Sequence, residues 1–268
     1  MFNGNGIFYT DSKEAVSYPD DGNDECFEIE ENSFWFHHRN NCIIEMIKNY
    51  PPFDNRSIFD IGGGNGFVSK GLLNAGFNVV LVEPGPSGAK NAKKRGIPHV
   101  VCATSQSAEF KQETLPAIGV FDVVEHIDDD IAFLRHLWNL LTPGGMLYLT
   151  VPAYQLLWSH EDEVGGHFRR YTLKSLKKRL QETGFSIKYS TYIFAFLPLF
   201  IFFLRTLPYR LKLLKTTMNS ERLKKVHSIH QGFVRKALNI LMNFEIQKVK
   251  EMKTITCGGS CLISAKKL

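Results

Sequence analysis

The sequence predicts an α/β protein: a doubly wound, mostly parallel sheet of seven strands, with an N-terminal cap and a helical insertion before the last strand. Short apolar segments alternate with amphipathic helical patterns between Ser57 and Tyr189, which is typical of strands joined by crossover helices. Glycine and proline separate many of these segments. With 268 residues, 44% of them apolar, the chain can bury a sizeable core.

Sequence signals mark where several of the predicted helices begin or end. Pro51 and Pro52 stop the first helix, the acids Asp128–Asp130 offer N-caps to another, and Thr172 caps the last. The predicted helices cover Asn40–Tyr50, Phe67–Ala75, Ser87–Arg95, Ile131–Leu141 and the stretch from Thr172 to Gly184. The predicted strands cover Ser57–Ile61, Asn78–Val82, Val100–Ala103, Ile118–Phe121, Met146–Val151, Phe185–Tyr189 and Gly259–Lys266.

The chain divides into three parts by pattern. A cap segment covers residues 1–55, a core covers 56–190 together with 255–268, and an apolar and basic insertion covers 191–254. The five cysteines are odd in number and scattered, which argues against a disulfide scaffold. Since no signal-type apolar stretch follows Met1, we expect a cytoplasmic protein, peripheral to the inner face of the membrane if the insertion touches lipid.

Charge is distributed unevenly along the chain, although the formal net charge is only +5. The segment from Arg205 to Lys253 holds twelve Lys and Arg against three Asp and Glu. In contrast, Asp20–Glu31 holds seven acids and no base. An asymmetry of this kind concerns binding partners rather than the fold.

A glycine cluster, Asp60–Gly66, stands between the first predicted strand and its helix. Glycine there permits positive φ angles and lets the backbone approach a ligand at the helix N-terminus, or it simply makes a structural turn. A dinucleotide fingerprint would need glycine where Phe67 stands, which disfavours an NAD site. Glu83 ends the next strand, where an acid can accept hydrogen bonds from ribose hydroxyls; taken alone, it would be read as a surface residue.

These motifs together resemble the class I S-adenosylmethionine-dependent methyltransferases. The resemblance rests on the D-x-G-x-G-x-G pattern of Asp60–Gly66, on Glu83 and on the segment Phe121–His126. It covers roughly Ser57–Tyr189 plus the final strand, and it is closest to the bacterial small-molecule (type 11/12-like) group, which has a stretch similar to Val151–Thr172. The resemblance implies a Rossmann-like core and S-adenosylmethionine as the cofactor.

The resemblance also implies a set of cofactor contacts. Asp60 and the backbone of the glycine cluster would hold the methionine part, and Glu83 would hold the ribose. Phe121 would face the methionine amino group. The adenine would lie near Thr104, Ser105 or Gln106, although the Asp that the family often has there is absent, which leaves this contact open. The cofactor-binding residues implied are Asp60, Gly62, Gly64, Gly66, Glu83, Thr104, Ser105, Gln106 and Phe121.

Histidines are the candidate general bases. Methyl transfer from a sulfonium needs chiefly proximity and orientation, but a hydroxyl acceptor gains from a base near neutral pKa. His126 is the first candidate, unless it only caps the helix that begins near Asp128; the catalytic candidates are His126, His160 and His167. Asp122, Glu125 and His126 also resemble the acid-x-x-Glu-His of some quinol O-methyltransferases, but without a further cluster we predict no metal.

The loop from Trp158 to Tyr171 should line the acceptor pocket, because loops after strands at this sheet edge normally do so. Arg169 and Arg170 suit a phosphate or carboxylate, or one of them fastens the loop by pairing with Asp162 or Glu163. The predicted substrate-binding residues are Trp35, Arg39, Tyr154, Trp158, Arg169, Arg170 and Tyr171.

The insertion opens with thirteen uncharged residues, Tyr192–Leu204, which are too few for the roughly 20 that span a bilayer. Five phenylalanines followed by Arg and Lys are typical of an interfacial anchor. Three interpretations stay open for 192–215: a buried or lid element, a peripheral membrane contact and a homodimer surface. We expect no nucleic-acid partner, because the basic residues are spread along an apolar-faced helix and no RNA-binding motif is present.

The sequence therefore predicts an S-adenosylmethionine-dependent methyltransferase with a small-molecule acceptor, for which a glycan, a phosphorylated compound and a lipid-linked compound are candidates. The alternative from another class is a non-catalytic protein that keeps the cofactor fold and docks to a membrane or partner. The sequence does not distinguish methylation of oxygen, nitrogen or carbon.

Overall fold

The computed structural model, which describes residues 2–4, 6–10, 22–53, 57–212 and 233–268, contains one nine-stranded sheet. Its strands are β1 (Phe2–Gly4), β2 (Ile7–Tyr9), β3 (Ile58–Ile61), β4 (Val79–Val82), β5 (His99–Cys102), β6 (Leu115–Phe121), β7 (Leu141–Pro152), β8 (Phe185–Ile193) and β9 (Ser260–Lys267). The order across the sheet is β1-β2-β5-β4-β3-β6-β7-β9-β8. The α/β class is thus confirmed.

The predicted count of seven strands is wrong by two. All seven predicted strands are present as β3 to β9, and the N-terminal cap supplies the other two. β2 adds in parallel to the edge of β5, and β1 pairs antiparallel with β2. The two strands are only three residues long and lie in a Gly- and Asn-rich stretch, so they carry little hydrophobic periodicity by which to recognise them.

The strands from β2 to β7 run parallel, and β9 is antiparallel to both of its neighbours. The winding direction reverses between β3 and β6, which lie next to each other. In such sheets, ligands bind outside the carboxyl ends of the strands at this reversal. We call the carboxyl ends of β3, β4, β5 and β6 the cofactor edge.

The helices cover both faces of the sheet and much of the part of the insertion that the structure describes. They are α1 (Gly22–Glu30), α2 (Phe34–Asn49), α3 (Phe67–Asn74), α4 (Pro86–Lys94), α5 (Asp130–Leu140), α6 (His160–Val164), α7 (Leu173–Glu182), α8 (Leu197–Ile201), α9 (Leu207–Arg210) and α10 (Phe233–Lys250). The predicted caps are present: Asp129 accepts a hydrogen bond from the Ala132 amide, and Thr172 accepts one from the Ser175 amide. Helix α2 starts six residues earlier than predicted, at Phe34.

The last described helix of the insertion, α10, packs against α2 of the N-terminal cap segment. Glu245 of α10 is buried and accepts hydrogen bonds from His38 of α2 and from the backbone amides of Phe194 and Ala195. The opposite face of α10 is open, with Ile240 69% exposed. In the described part of the chain, no helix has both the length and the apolarity to cross a bilayer.

Candidate active site

The glycine cluster lies at the cofactor edge, where β3 turns into α3. Gly62 and Gly64 have φ angles of +70° and +52°, which side-chain-bearing residues rarely adopt. A Cβ at Gly62 would lie 2.7 Å from Cγ2 of Val123. The cluster therefore presents bare backbone to whatever lies beyond the strand ends.

Two buried carboxyl groups flank this backbone. Glu83, at the end of β4, accepts hydrogen bonds from the amides of Gly64 at 2.8 Å and Gly85 at 2.7 Å, and burial raises its pKa to about 7. Asp60, at the end of β3, accepts one from the Ser69 hydroxyl at 2.6 Å, and burial raises its pKa to about 6. Such acceptors beside open backbone fit the polyhydroxyl and amino acid parts of S-adenosylmethionine.

The remaining residues implied as cofactor contacts lie along the same edge. Thr104, Ser105 and Gln106 follow β5, and the Ser105 hydroxyl donates to the Gln106 side chain at 2.8 Å. Phe121 ends β6 and is buried in the core on the side of α2. The structure thus brings all nine of these residues to the ends of four neighbouring strands, and their contacts with a cofactor stay predictions.

A cavity of about 940 Å³ opens beside the end of β6. Its walls come from α1, α2, the residues that follow β6, the segment 160–170 and the stretch from α8 to Lys212. Among the predicted site residues, those that line it are Trp35, His160, His167 and Arg170. We call this space the acceptor cavity, since it adjoins Asp122 and Glu125 just beyond β6.

Asp162 organises one wall of the acceptor cavity. It is 1% exposed and accepts hydrogen bonds from His167 Nδ1 at 2.8 Å and from Arg170 Nε at 2.7 Å. Burial alone would raise the pKa of Asp162, but the hydrogen bonds from His167 and Arg170 lower it to about 2. The carboxylate therefore stays ionised and fixes the His167 ring. From the sequence, Asp162 is predicted only as a partner for one of the arginines.

Both arginines of this loop are held by protein groups, and the alternative interpretation, in which one of them pairs with Asp162 or Glu163, describes Arg170. Arg170 is paired with Asp162 through two nitrogens. Arg169 donates to the carbonyls of Ile127 and Asp128 and pairs with Asp130 at the start of α5. Arg169 is therefore engaged outside the acceptor cavity, whereas Arg170 still lines it.

His126 and His167 form an edge-to-face pair with ring centroids 4.7 Å apart. Burial, and then the neighbouring His167, lower the pKa of His126 to about 4, so this ring is a weak base. Ligand atoms of Glu125, His126 and His167 lie within 4.8 Å of one another, close enough for one cation. His167, which lies 41 positions after His126, thus completes a cluster of possible metal ligands that the sequence did not show.

The other predicted substrate-binding residues lie outside the wall of the acceptor cavity. Tyr171 is 2% exposed, because its hydroxyl donates to Asp130 at 2.7 Å inside the core; the substrate-binding prediction for it is corrected on this ground. Tyr154 stacks on Tyr192 with ring centroids 5.1 Å apart. Trp158 is half-buried, and its side chain interacts with the Tyr209 hydroxyl.

Arg39 acts behind the cavity wall. Its guanidinium lies 4.5 Å from the ring centroid of Trp35 and donates to Asp122, whose other carboxylate oxygen accepts from Thr150 at 2.9 Å. Burial lowers the pKa of Arg39 to about 10, which leaves it charged at neutral pH. Arg39 therefore holds Trp35 and Asp122, two residues that do line the cavity.

Comparison with curated proteins finds ubiquinone biosynthesis O-methyltransferases. The human mitochondrial protein is 28% identical over 120 residues, which is 40% of this chain and 32% of that protein. The protein of Caulobacter sp. (strain K31) is 31% identical over 102 residues, or 36% of this chain and 40% of that one. The chain thus matches less than half the length of these relatives.

Solved structures share the fold. The phosphoethanolamine N-methyltransferase 2 of Haemonchus contortus in complex with S-adenosyl-L-methionine aligns with a TM-score of 0.56 at 16% identity, over 94% of this chain and 58% of that one. A methyltransferase from Thermotoga maritima, described as a possible histamine N-methyltransferase, aligns with a TM-score of 0.54 at 17% identity, over 93% and 100%.

The family model for a methyltransferase domain matches residues 35–189, more than half of the chain. That range contains the glycine cluster, Glu83 and the segment after β6. The chain therefore belongs to the methyltransferase-domain family, which confirms the resemblance to class I S-adenosylmethionine-dependent methyltransferases.

Proposed function

We propose that this protein transfers the methyl group of S-adenosylmethionine to a hydroxyl group of a small acceptor bound in the acceptor cavity. When bound, the cofactor supplies an electrophilic methyl group on a sulfonium. The observation that carries the proposal is the hydrogen-bonded pair His167–Asp162 on the wall of a cavity that adjoins the cofactor edge. The names of the curated relatives, which are O-methyltransferases, support oxygen as the methylated atom.

His167 is better placed to act as the base than His126. Because Nδ1–H of His167 donates a hydrogen bond to Asp162, the neutral ring keeps Nε2 as an acceptor for a substrate proton. The Asp162 carboxylate then stabilises the imidazolium that forms. His126, with its pKa lowered to about 4, is neutral and weakly basic at pH 7. It supports His167 from the side as the other half of the edge-to-face pair.

A divalent cation is the alternative use of the same cluster, favoured by the closeness of Glu125, His126 and His167. A cation held there would act as a Lewis acid on the acceptor oxygen. Chelation separates the two mechanisms. If His167 is a base, activity survives dialysis against a chelator; if the cluster is a metal site, activity is lost and returns when Mg²⁺ or Zn²⁺ is added.

Calorimetry with S-adenosylmethionine and with NAD tests the proposed cofactor. We expect binding of S-adenosylmethionine and none of NAD, because Phe67 occupies the position of the third glycine in a dinucleotide fingerprint. Binding of neither would favour the non-catalytic alternative, in which the chain keeps the fold and docks to a partner. Binding of NAD alone would contradict the methyltransferase proposal.

A lipid-linked acceptor is supported by the apolar mouth of the acceptor cavity. Phe200 and Leu204 line the cavity and are also 58% and 68% exposed, and Phe203 beside them is 58% exposed. Exposed apolar groups next to basic residues are typical of interfacial helices. We expect wild-type protein to float with anionic liposomes and a Phe200→Ser/Phe203→Ser variant to stay in solution.

Phe53→Ser provides the matched control for the liposome experiment, since Phe53 is 70% exposed but lies just after α2. Equal flotation of the wild type and the double variant would remove the lipid contact. If the same double variant instead changed the sedimentation of a dimer, the homodimer interpretation of 192–215 would replace it.

A further inference from the structure

The acidic run near the N-terminus, to which the sequence assigns no role, folds in its described part as α1 and lies against the cofactor edge. Asp24 accepts hydrogen bonds from Ser87 at 2.6 Å and from Asn91 at 2.8 Å, both on α4. Glu30 pairs with Arg95 at 2.6 Å, just beyond the same helix. Carboxylates of α1 therefore hold it across the start and the end of α4.

Asn23 of α1 reaches the proposed ribose site directly. It is 8% exposed, and its side-chain amide interacts with the Glu83 carboxylate and lowers the pKa of Glu83 against the effect of burial. Its amide nitrogen lies 3.1 Å and 2.8 Å from the positions that a Cβ would take at Gly85 and Gly88. The Asn23 amide thus fills the space over Glu83 that the two glycines leave open.

The hydrogen-bond capacity of Glu83 makes this contact consequential. A carboxylate accepts about four hydrogen bonds. The amides of Gly64 and Gly85 take two of these places, and the Asn23 amide faces the same carboxylate. A ribose offers two hydroxyl donors and therefore needs both remaining places.

We propose that Asn23 competes with a ribose hydroxyl of the cofactor for Glu83, so that α1 is a latch closed over the cofactor-free site. The inference rests on the proposed function, in which Glu83 holds the ribose. Gly64 and Gly85 donate from the backbone of the loops that follow β3 and β4, whereas Asn23 belongs to a separate helix held by side-chain contacts. Asn23 is therefore the donor that leaves when the cofactor enters.

Binding measurements on the full chain test the latch. Asn23→Ala is expected to bind S-adenosylmethionine three- to tenfold more tightly by calorimetry and to associate faster in stopped flow, because one competitor for Glu83 is gone. Asn32→Ala, an exposed asparagine just after α1, should leave both values unchanged. Weaker binding, or no change, for Asn23→Ala would overturn the latch.

Hydrogen exchange gives a readout that does not depend on the variant. Cofactor binding should increase exchange at the amides of 22–30 in the wild type, because the helix is released; equal or slower exchange there would contradict the proposal. Glu83→Ala distinguishes a failure of the latch from a failure of the ribose assignment. Lost cofactor binding in that variant supports the ribose assignment whatever Asn23 does, and unchanged binding removes the ribose assignment and with it the latch.

Discussion

The cofactor edge and the acceptor cavity are built in different ways, although they meet just beyond β6. The cofactor edge consists of short motifs at the ends of neighbouring parallel strands, with bare glycine backbone around the buried acids Asp60 and Glu83. The acceptor cavity is assembled from α1, α2, the 160–170 segment and the insertion, which are distant in sequence.

The difference lies in what each region can tolerate. At the cofactor edge, the sheet register and the glycine φ angles leave little room for change. The acceptor wall depends instead on one buried ionic network around Asp162 and on apolar side chains that remain partly exposed. The same core can therefore present a constant cofactor site beside a variable acceptor site.

Removing the proposed base should have the largest effect. His167→Asn is expected to lower kcat by roughly 10²- to 10⁴-fold and to leave the Kd for S-adenosylmethionine unchanged, because the ring lies on the acceptor side. Asp162→Asn should cost nearly as much, and the double variant no more than His167→Asn, since the two act as one unit. Steady-state kinetics with calorimetry checks this. A parallel loss of cofactor affinity would show that His167 also contributes to cofactor binding, and it would contradict the separation of the two regions.

Gly62→Ala should show the rigidity of the cofactor edge. Positive φ and the contact with Val123 predict a loss of about 3 kcal/mol in the free energy of unfolding. Gly259→Ala on the acceptor side is the control, because Gly259 lines the acceptor cavity, has no positive φ, and its nearest neighbour would lie 3.5 Å from the new Cβ. We expect it to cost less than about 1 kcal/mol. Urea unfolding measures both, and equal losses would contradict the contrast.

Replacing Glu83 by Ala should weaken cofactor binding by roughly 10- to 100-fold, since hydrogen bonds to a charged acceptor contribute about 1.5–3 kcal/mol. Glu182→Gln, a half-exposed carboxyl on α7, serves as the control and should bind as the wild type does. Calorimetry measures both. An unchanged Kd for Glu83→Ala would remove the ribose assignment.

The pH dependence of cofactor affinity should be smaller but diagnostic. The pKa of Glu83 is raised to about 7 in the cofactor-free fold, so the carboxyl gains a proton as the pH falls below that value. Ribose hydroxyls donate to the ionised form, and we therefore expect about tenfold weaker binding at pH 6 than at pH 8. The dependence should flatten in Glu83→Gln, and a wild-type affinity independent of pH would contradict it.

A rise in pH should lower the stability of the cofactor-free protein, although it strengthens cofactor binding. A carboxyl whose folded pKa lies above its unfolded value favours the fold in its protonated form. The free energy of unfolding of the cofactor-free protein therefore falls from about pH 4.5, where Glu83 begins to ionise in the unfolded chain, to about pH 7, where it ionises in the fold. Above pH 7 the loss of stability is complete. Thermal unfolding with and without cofactor would separate this loss from the gain in binding.

The sequence predicts the cofactor edge better than the acceptor cavity for a physical reason. Strand periodicity, glycine and an acid at a strand end are local signals, so β3 to β9 and the position of Glu83 follow from short windows. The pairing of His167 with Asp162 and His126 depends on how the loop folds back onto the 3₁₀ turn at 124–126, which no local pattern encodes. For the same reason the sequence predicts that Tyr171 and Arg169 bind substrate, although Tyr171 is buried in the core and the partly buried Arg169 pairs with Asp130.

The central claim is that a methyl group passes from the cofactor edge to a hydroxyl in the acceptor cavity. Transfer of isotopic label from methyl-labelled S-adenosylmethionine into a panel of small and lipid-linked phenols, alcohols and amines tests it most directly. We predict a labelled O-methyl product with the wild type and a loss of at least about 100-fold with His167→Asn. Label on nitrogen or carbon, or transfer that persists unchanged in His167→Asn, would contradict the account.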